Sequence, residues 1–209
     1  MSKKERAFSQ LALLAVLATG LLLAMLTFKS TPTAAHVMPA PCDFTTGGGF
    51  VITDTTPTDG GQHANFGLVG GCKNGGYFGH VNFVDHDTAG FFAGFHLSSV
   101  SIDGYFEPFE GSNVRDICGT ARTNLPPPND TGIKFRARTQ DNGEPGNGVD
   151  KFGLKVTNPS TGQSAVVVST RLLAGGNIQL HKANHSTTGP SVPPDEITAC
   201  GSDDSGLGF

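Results

Sequence analysis

The sequence predicts an all-β domain, a β-sandwich or jelly-roll-like fold of about nine strands, behind an N-terminal signal peptide or signal-anchor helix. Three observations carry that expectation. Gly and Pro supply 29 and 13 of the 209 residues while charged residues make only 15%, which excludes coiled coils, helical bundles and highly charged disordered tails. From residue 49 onward apolar residues alternate with polar ones, the period of a half-buried strand. Turn residues interrupt that alternation at roughly 8- to 14-residue intervals, the spacing of a sandwich or barrel.

The first 35 residues read as an export segment. Lys3, Lys4 and Arg6 precede an uncharged apolar run from Leu11 to Phe28, and Thr33 and Ala35 offer small residues for cleavage before His36. The run is 18 residues long, just short of the ~20 that span a bilayer, so an uncleaved membrane anchor over 11–28 is the alternative. The organisation that follows is a short leader over 36–48, a β-domain over 49–182 and an irregular tail over 183–209. Residues 36–209 hold 10 basic and 17 acidic residues, a formal charge of −7. Nothing in that balance invites nucleic acid, and the chain is long enough for one core without metal or cofactor.

Strands are expected over 49–53, 63–70, 77–84, 90–103, 113–123, 131–140, 150–157, 163–174 and 176–182. Gly47, Gly48 and Gly49 read as a bend into the first of them. Asn74, Gly75 and Gly76 supply the positive φ of a tight hairpin, and Asp103 with Gly104, Asn142 with Gly143, and Pro159 to Gly162 mark further turns. In 90–103, Phe91, Ala93, Phe95 and Leu97 share one face, whereas Val100 and Ile102 have the opposite parity. An extra residue must be absorbed near Ser98 and Ser99, so the strand bends there and turns a corner of the sandwich. Leu125 to Asp130 contains three consecutive prolines and reads as a solvent-facing loop. The tail lacks periodicity and is expected to be tied back only by Cys200.

All four cysteines, Cys42, Cys72, Cys118 and Cys200, lie beyond the export segment, where two disulfides can form. Three pairings are open. The position of Cys42 before the first strand and of Cys200 in the tail favours a Cys42–Cys200 clasp with Cys72–Cys118 inside the body.

Two constellations invite a ligand. Lys134, Arg136 and Arg138 alternate with Ile133, Phe135 and Ala137, and Lys151 and Lys155 alternate with Phe152 and Leu154. Five of the ten basic residues then share one hairpin face, which could present them to an anionic polysaccharide; the alternative is a solvated face paired with neighbouring acids. The loop between these strands carries Asp141, Asn142, Glu144 and Asp150 among glycines, hard oxygen ligands of the kind Ca²⁺ takes. The plainer reading is a hairpin loop whose Asp and Asn side chains bond their own backbone.

Catalytic signals are sparse. His80 and His86 share a strand parity, with Asp85 and Asp87 beside His86, and Glu107 lies close to Glu110. Asp85, His86, Glu107 and Glu110 are the candidates for a polysaccharide hydrolase or lyase, but neither a nucleophile elbow nor a zinc-protease motif accompanies them.

The order of several motifs adds a resemblance. Thr46 with Gly47, Gly48 and Gly49; Asn65, Phe66 and Gly67; Gly79 and His80 through Asp85 and His86; Cys118, Gly119, Thr120 and Ala121; Asp141, Asn142, Gly143 and Glu144 with Asp150 and Phe152; and Gly176, Asn177, Ile178 and Gln179 resemble the post-COAP domain family of bacterial exported proteins. The resemblance runs over about residues 43 to 182. It implies a small extracellular β-domain, alone or appended to a larger surface protein, and brings no activity or functional residue with it. The expectation is therefore an exported binding or structural module, with a polysaccharide-degrading enzyme and a plain spacer as alternatives.

Overall fold

The computed structural model describes residues 36–53, 62–88, 90–124 and 132–208. The export segment and the proline loop at 125–130 lie outside them. Among the described residues there are nine strands: β1 Phe44–Ile52, β2 His63–Lys73, β3 Gly76–Asp85, β4 His96–Phe106, β5 Val114–Thr123, β6 Ile133–Gln140, β7 Lys151–Asn158, β8 Gln163–Leu172 and β9 Gly175–His181. One short helix, α1 Glu196–Cys200, follows. Also among these residues, no helix is long and apolar enough to cross a membrane.

The sequence pattern anticipates two packed sheets, but hydrogen bonding joins all nine strands into one antiparallel sheet in the order β8-β7-β6-β5-β4-β3-β2-β1-β9. The chain meanders from β1 to β8 and then places β9 against β1, at the opposite end of the order. Only Leu173 and Ala174 separate β8 from β9. Three Cα steps reach at most ~11 Å, so the two ends of the sheet must meet at that corner, and the sheet curls onto itself. Phe66 of β2 accordingly stacks on Phe152 of β7 with ring centroids 4.2 Å apart. Ala174 donates its N–H to the Phe50 carbonyl at 2.9 Å, and Arg171 of β8 donates to the Ile52 carbonyl of β1 at 2.7 Å.

The curl buries the apolar parity of each strand. Phe66, Phe83, Phe95, Phe135 and Phe152 form the aromatic centre of the core, with Val81, Ile117, Leu154 and Ile178 around them. Each such side chain contributes ~1.5–3 kcal/mol relative to exposure. The β2–β3 hairpin follows its turn chemistry: Lys73 pairs with Gly76, leaving Asn74 at φ 50° and Gly75 at φ 84° as a two-residue loop.

Several expectations are corrected. The first strand begins at Phe44, so Gly47, Gly48 and Gly49 lie within it and are no bend. They sit between two strands, with Gly47 opposite Leu68 and Ile178, and Gly49 opposite Phe66 and Gly176. A Cβ on Gly49 would run into the Gly175 carbonyl oxygen and come within 2.9 Å of Gly176 Cα, so glycine here permits close backbone approach. The bend expected near Ser99 is present as a register shift between Ser99 and Ser101. However, β4 starts only at His96, Val100 is exposed, and Asp103 and Gly104 form a second irregularity inside the strand in place of a turn. A residue displaced from the ladder points its side chain where the bulge sends it, so Val100 leaves the core while Ile102 packs against it.

The disulfides are Cys42–Cys72 and Cys118–Cys200, in place of the expected clasp. Pairing of Phe44 with Gly71 brings Cys42 beside Cys72, with Cα atoms 5.9 Å apart. Cys118 lies on the face of β5 away from the main core, where the tail crosses it, and the Cα separation to Cys200 is 4.7 Å. The tail is held by far more than Cys200: Ala199, Cys200 and Leu207 are buried, and Phe106, Cys118, Ala199 and Cys200 make a second small core.

Replacing Gly49 with Ala is expected to force β1 and β9 apart and to cost about 1–3 kcal/mol. Chemical denaturation should read this as a lower midpoint without a change in slope.

Candidate functional site

The richest concentration of charge lies where the tail crosses the outer face of β5, β6 and β7. Register places Asp116 opposite Arg138, Cys118 opposite Arg136, and Arg136 opposite Lys155, on the side away from Ile117, Phe135 and Leu154. The strand alternation is as expected, but the face is not open. Arg136 and Arg138 are 0% exposed and Lys155 4%, because residues 196–208 cover them and supply carboxylates. This corrects the reading of an exposed basic face: the anions it meets belong to the chain itself. Lys134 pairs with Asp103 at 2.8 Å. Lys151, half-buried opposite Gln140, stands outside the cluster.

Asp116, fully buried, is the centre. Its two oxygens accept from Arg138 Nε and Nη2, both at 2.8 Å, and from Arg136 Nη1 at 2.7 Å. Arg138 Nη2 also donates to Asp204 at 2.8 Å, and Arg136 Nη2 meets Glu196. His36 enters from the N-terminal side, with Nδ1 2.9 Å from Glu196 and 3.4 Å from Asp116, and Nε2 3.5 Å from Asp204. Three cations, His36, Arg136 and Arg138, thus balance three carboxylates, Asp116, Glu196 and Asp204. Beside them the tail wraps the Lys155 ammonium, which donates to Asp203 and Ser205 through both backbone and side-chain oxygens.

Burial opposes each of these charges, and pairing outweighs it. Desolvation would push Asp116 up, but hydrogen bonds from Arg138 and His36, with the attraction of both arginines, hold it far below the usual carboxylate range. Desolvation would lower His36, but its bonds to Asp116 and Glu196 raise it from 6.5 to about 9. The imidazole therefore holds its proton at neutral pH, its carboxylate neighbours outweighing the Arg136 Nη1 that lies 3.1 Å from Nδ1. His36, Asp116 and Glu196 also form the one group of three potential metal ligands found among the described residues, their atoms within 4.8 Å of one another. The donor set does not suit a divalent cation, because two guanidinium groups already occupy Asp116 and one of them shares Glu196.

The loop at 141–150 performs a mechanical task. Asp141 accepts from Leu180 N–H at 2.7 Å and Asp150 from Ile178 N–H at 2.8 Å, so two carboxylates cap the outer edge of β9. Asp150 also accepts from Asn142 N–H at 2.8 Å, Asn142 donates to Val149, and Glu144 accepts from Asn177. The oxygens anticipated as Ca²⁺ ligands are acceptors for the backbone and side chains of β9 and of the loop itself, an extension of the hairpin-loop reading.

Of the sparser candidates, His80 bonds Ser99 and Asn82, whereas His86 lies against His63 with centroids 5.0 Å apart, so the two histidines are not brought together. Asp85 accepts from the Asp87 N–H. Glu107 and Glu110 do share a cavity of about 490 Å³ with Asp43, Arg115 and Lys182. There Arg115 grips Asp43 with two bonds of 3.1 and 2.7 Å and lies 3.4 Å from Glu107. Burial pushes the Glu107 carboxyl up. A second cavity, about 360 Å³, is lined by Phe91, Phe92, Ile133 and Val156 with Asn158 and Gln163 at its polar side. Phe91 is 81% exposed.

His36, Asp43, Asp116 and the tail carboxylates were not legible as a cluster. The one local signal is the adjacent pair Arg115 and Asp116 in the buried first part of β5; Arg115 meets Asp43, 72 residues earlier, and Asp116 meets Arg136 and Arg138, 20 and 22 residues later, together with His36 from the far N-terminal side.

Asp116→Asn should leave two guanidinium groups without their central partner and cost about 3–5 kcal/mol in urea unfolding. His36 contributes in the opposite pH direction to a carboxylate. Because its folded pKa is raised, its stabilisation is complete below about pH 6.5 and is lost as pH rises through about 9. Wild-type stability should fall across that window, and the His36→Gln variant should lack this component of the fall. Compared with known proteins, the chain matches no family model, no curated protein and no solved structure.

Proposed function

We propose that this chain is an exported β-domain that works outside the cell as a non-catalytic binding module, with polysaccharide as its ligand class. The observation that carries this reading is the cleft between the segment Phe91–Phe95 and residues of β6, β7 and β8. Phe91 stands at 81% exposure next to Phe92, Ile133 and Val156, while Asn158, Gln163 and Ser164 line the same cavity. A sugar ring has an apolar C–H face and a rim of hydroxyls, and a pocket of aromatic walls with a few amide and hydroxyl groups complements both. Two disulfides support an oxidising, extracellular setting. The resemblance to the post-COAP domain family belongs to the same proposal. The basic hairpin face lends little anion selectivity, since Lys134, Arg136, Arg138 and Lys155 are paired with carboxylates within the fold.

A second reading is a polysaccharide hydrolase or lyase at the Glu107 cavity. It is favoured by a carboxyl whose pKa is raised by burial, as a general acid requires, beside Asp43 held by Arg115.

Thermal unfolding with neutral and acidic polysaccharides separates these readings. A binding module should gain a higher midpoint with a neutral polymer, lost in Phe91→Ala. Cleavage of the polymer, abolished by Glu107→Gln, would establish the enzyme. No shift with any polymer would leave a structural spacer.

A further inference from the structure

We infer that His36 is the first residue of the mature protein and that its freed α-ammonium group is a working member of the buried ion network, paired with Glu196. The inference rests on the export reading and goes beyond it: the cut at Ala35–His36 is assigned a structural product.

The sequence places Thr33 and Ala35 where an export peptidase needs small residues, directly before His36. The fold independently places the backbone nitrogen of residue 36 against a carboxylate. The backbone nitrogen of His36 lies 3.2 Å from Glu196 Oε2, and its imidazole Nδ1 lies 2.9 Å from Oε1 of the same carboxylate. One carboxylate therefore holds the backbone nitrogen and one ring nitrogen of the same residue. The next residue, Val37, is fixed by two backbone bonds to Glu107, at 3.1 and 2.7 Å, so His36 cannot slide away from its partner. Glu196 is equally fixed, at the first position of α1 behind the Asp195 cap and four residues from the Cys118–Cys200 disulfide.

In the precursor this nitrogen is a neutral amide donating one bond. After cleavage it is an amine with a pKa of about 7.7–8.0, and charge-assisted bonds are roughly twice as strong as neutral ones. The groups around the pair are Arg136, Arg138, Asp116, Asp204 and the His36 imidazole. The surrounding carboxylates are already balanced by His36, Arg136 and Arg138, so what the ammonium gains comes from its direct contact with Glu196. Removal of the export segment thus tightens the contact between the N-terminus and the tail that covers β5–β7.

The test begins with the full chain exported from a bacterial host and weighed intact. The expected mass corresponds to a start at His36 with both disulfides closed. A start at any other residue would overturn the inference while leaving export intact; retention of residues 1–35 would also overturn it, with protein found outside the cytoplasm then marking the anchored form of the export reading and protein held inside the cytoplasm overturning export as well. The second measurement compares this protein with a variant carrying one extra Asn between Ala35 and His36, which keeps the small residues ending at Ala35, its start at Asn-His confirmed by intact mass. At pH 7 the extended form should unfold about 2–4 °C lower, and the difference should vanish in the Glu196→Gln background. Equal midpoints in the wild-type background, or an unchanged difference in Glu196→Gln, would overturn the role of the α-ammonium group.

Discussion

Two residues, Leu173 and Ala174, connect strands at opposite ends of a nine-stranded sheet, and the remaining architecture follows from that short link. A sheet of nine strands spaced ~4.8 Å apart is far wider than three Cα steps can bridge if it stays open. It must curl until β8 and β9 meet, and the curl creates an inner face lined by phenylalanine and an outer face turned away from it. Closure is not completed by a ninth ladder, which would join β8 to β9. Asp141 and Asp150 bond the free N–H groups of β9 instead, so side chains from the β6–β7 loop do the work of a neighbouring strand and protect an edge that would otherwise be open to pairing.

The outer face poses a second problem, which the tail solves. Antiparallel sheets commonly leave one face in water, and the alternation of Lys and Arg along β6 and β7 suits such a face. Here residues 196–208 form an added layer over it. Burying arginine is costly unless its charge and its N–H groups are satisfied, and the tail brings Glu196, Asp203 and Asp204 together with carbonyl oxygens of Ser202 and Gly208. The ion network consequently fixes where the tail lies more than it adds net stability. Asp116 supplies from within the sheet the charge around which both arginines are arranged.

This layering also decides where a ligand can act. The charged groups that looked most available are used for internal closure, whereas the accessible chemistry lies at the aromatic cleft lined by Phe91, Phe92 and Phe95 and at the cavity shared by Glu107, Glu110 and Arg115. The first has apolar walls with a polar margin, and the second has a buried carboxyl held near a cation.

The strands were readable because their cause is local. Alternation in 133–138 and 151–156 sets which residues share a face, and Asn74-Gly75 forces a tight turn, whatever the remainder of the chain does. The parity break between Leu97 and Val100 likewise announced a bulge. What covers each face is not local. Arg136 and Arg138 display the same alternation whether water or a tail lies above them, and the cysteine spacing is compatible with every pairing until Phe44 is set opposite Gly71. The glycines of β1 look like a bend until β9 arrives beside them. Local periodicity follows from the geometry of one strand, whereas burial, disulfide partners and charge pairing follow from contacts between segments far apart in the chain, which the curl of the sheet alone brings together.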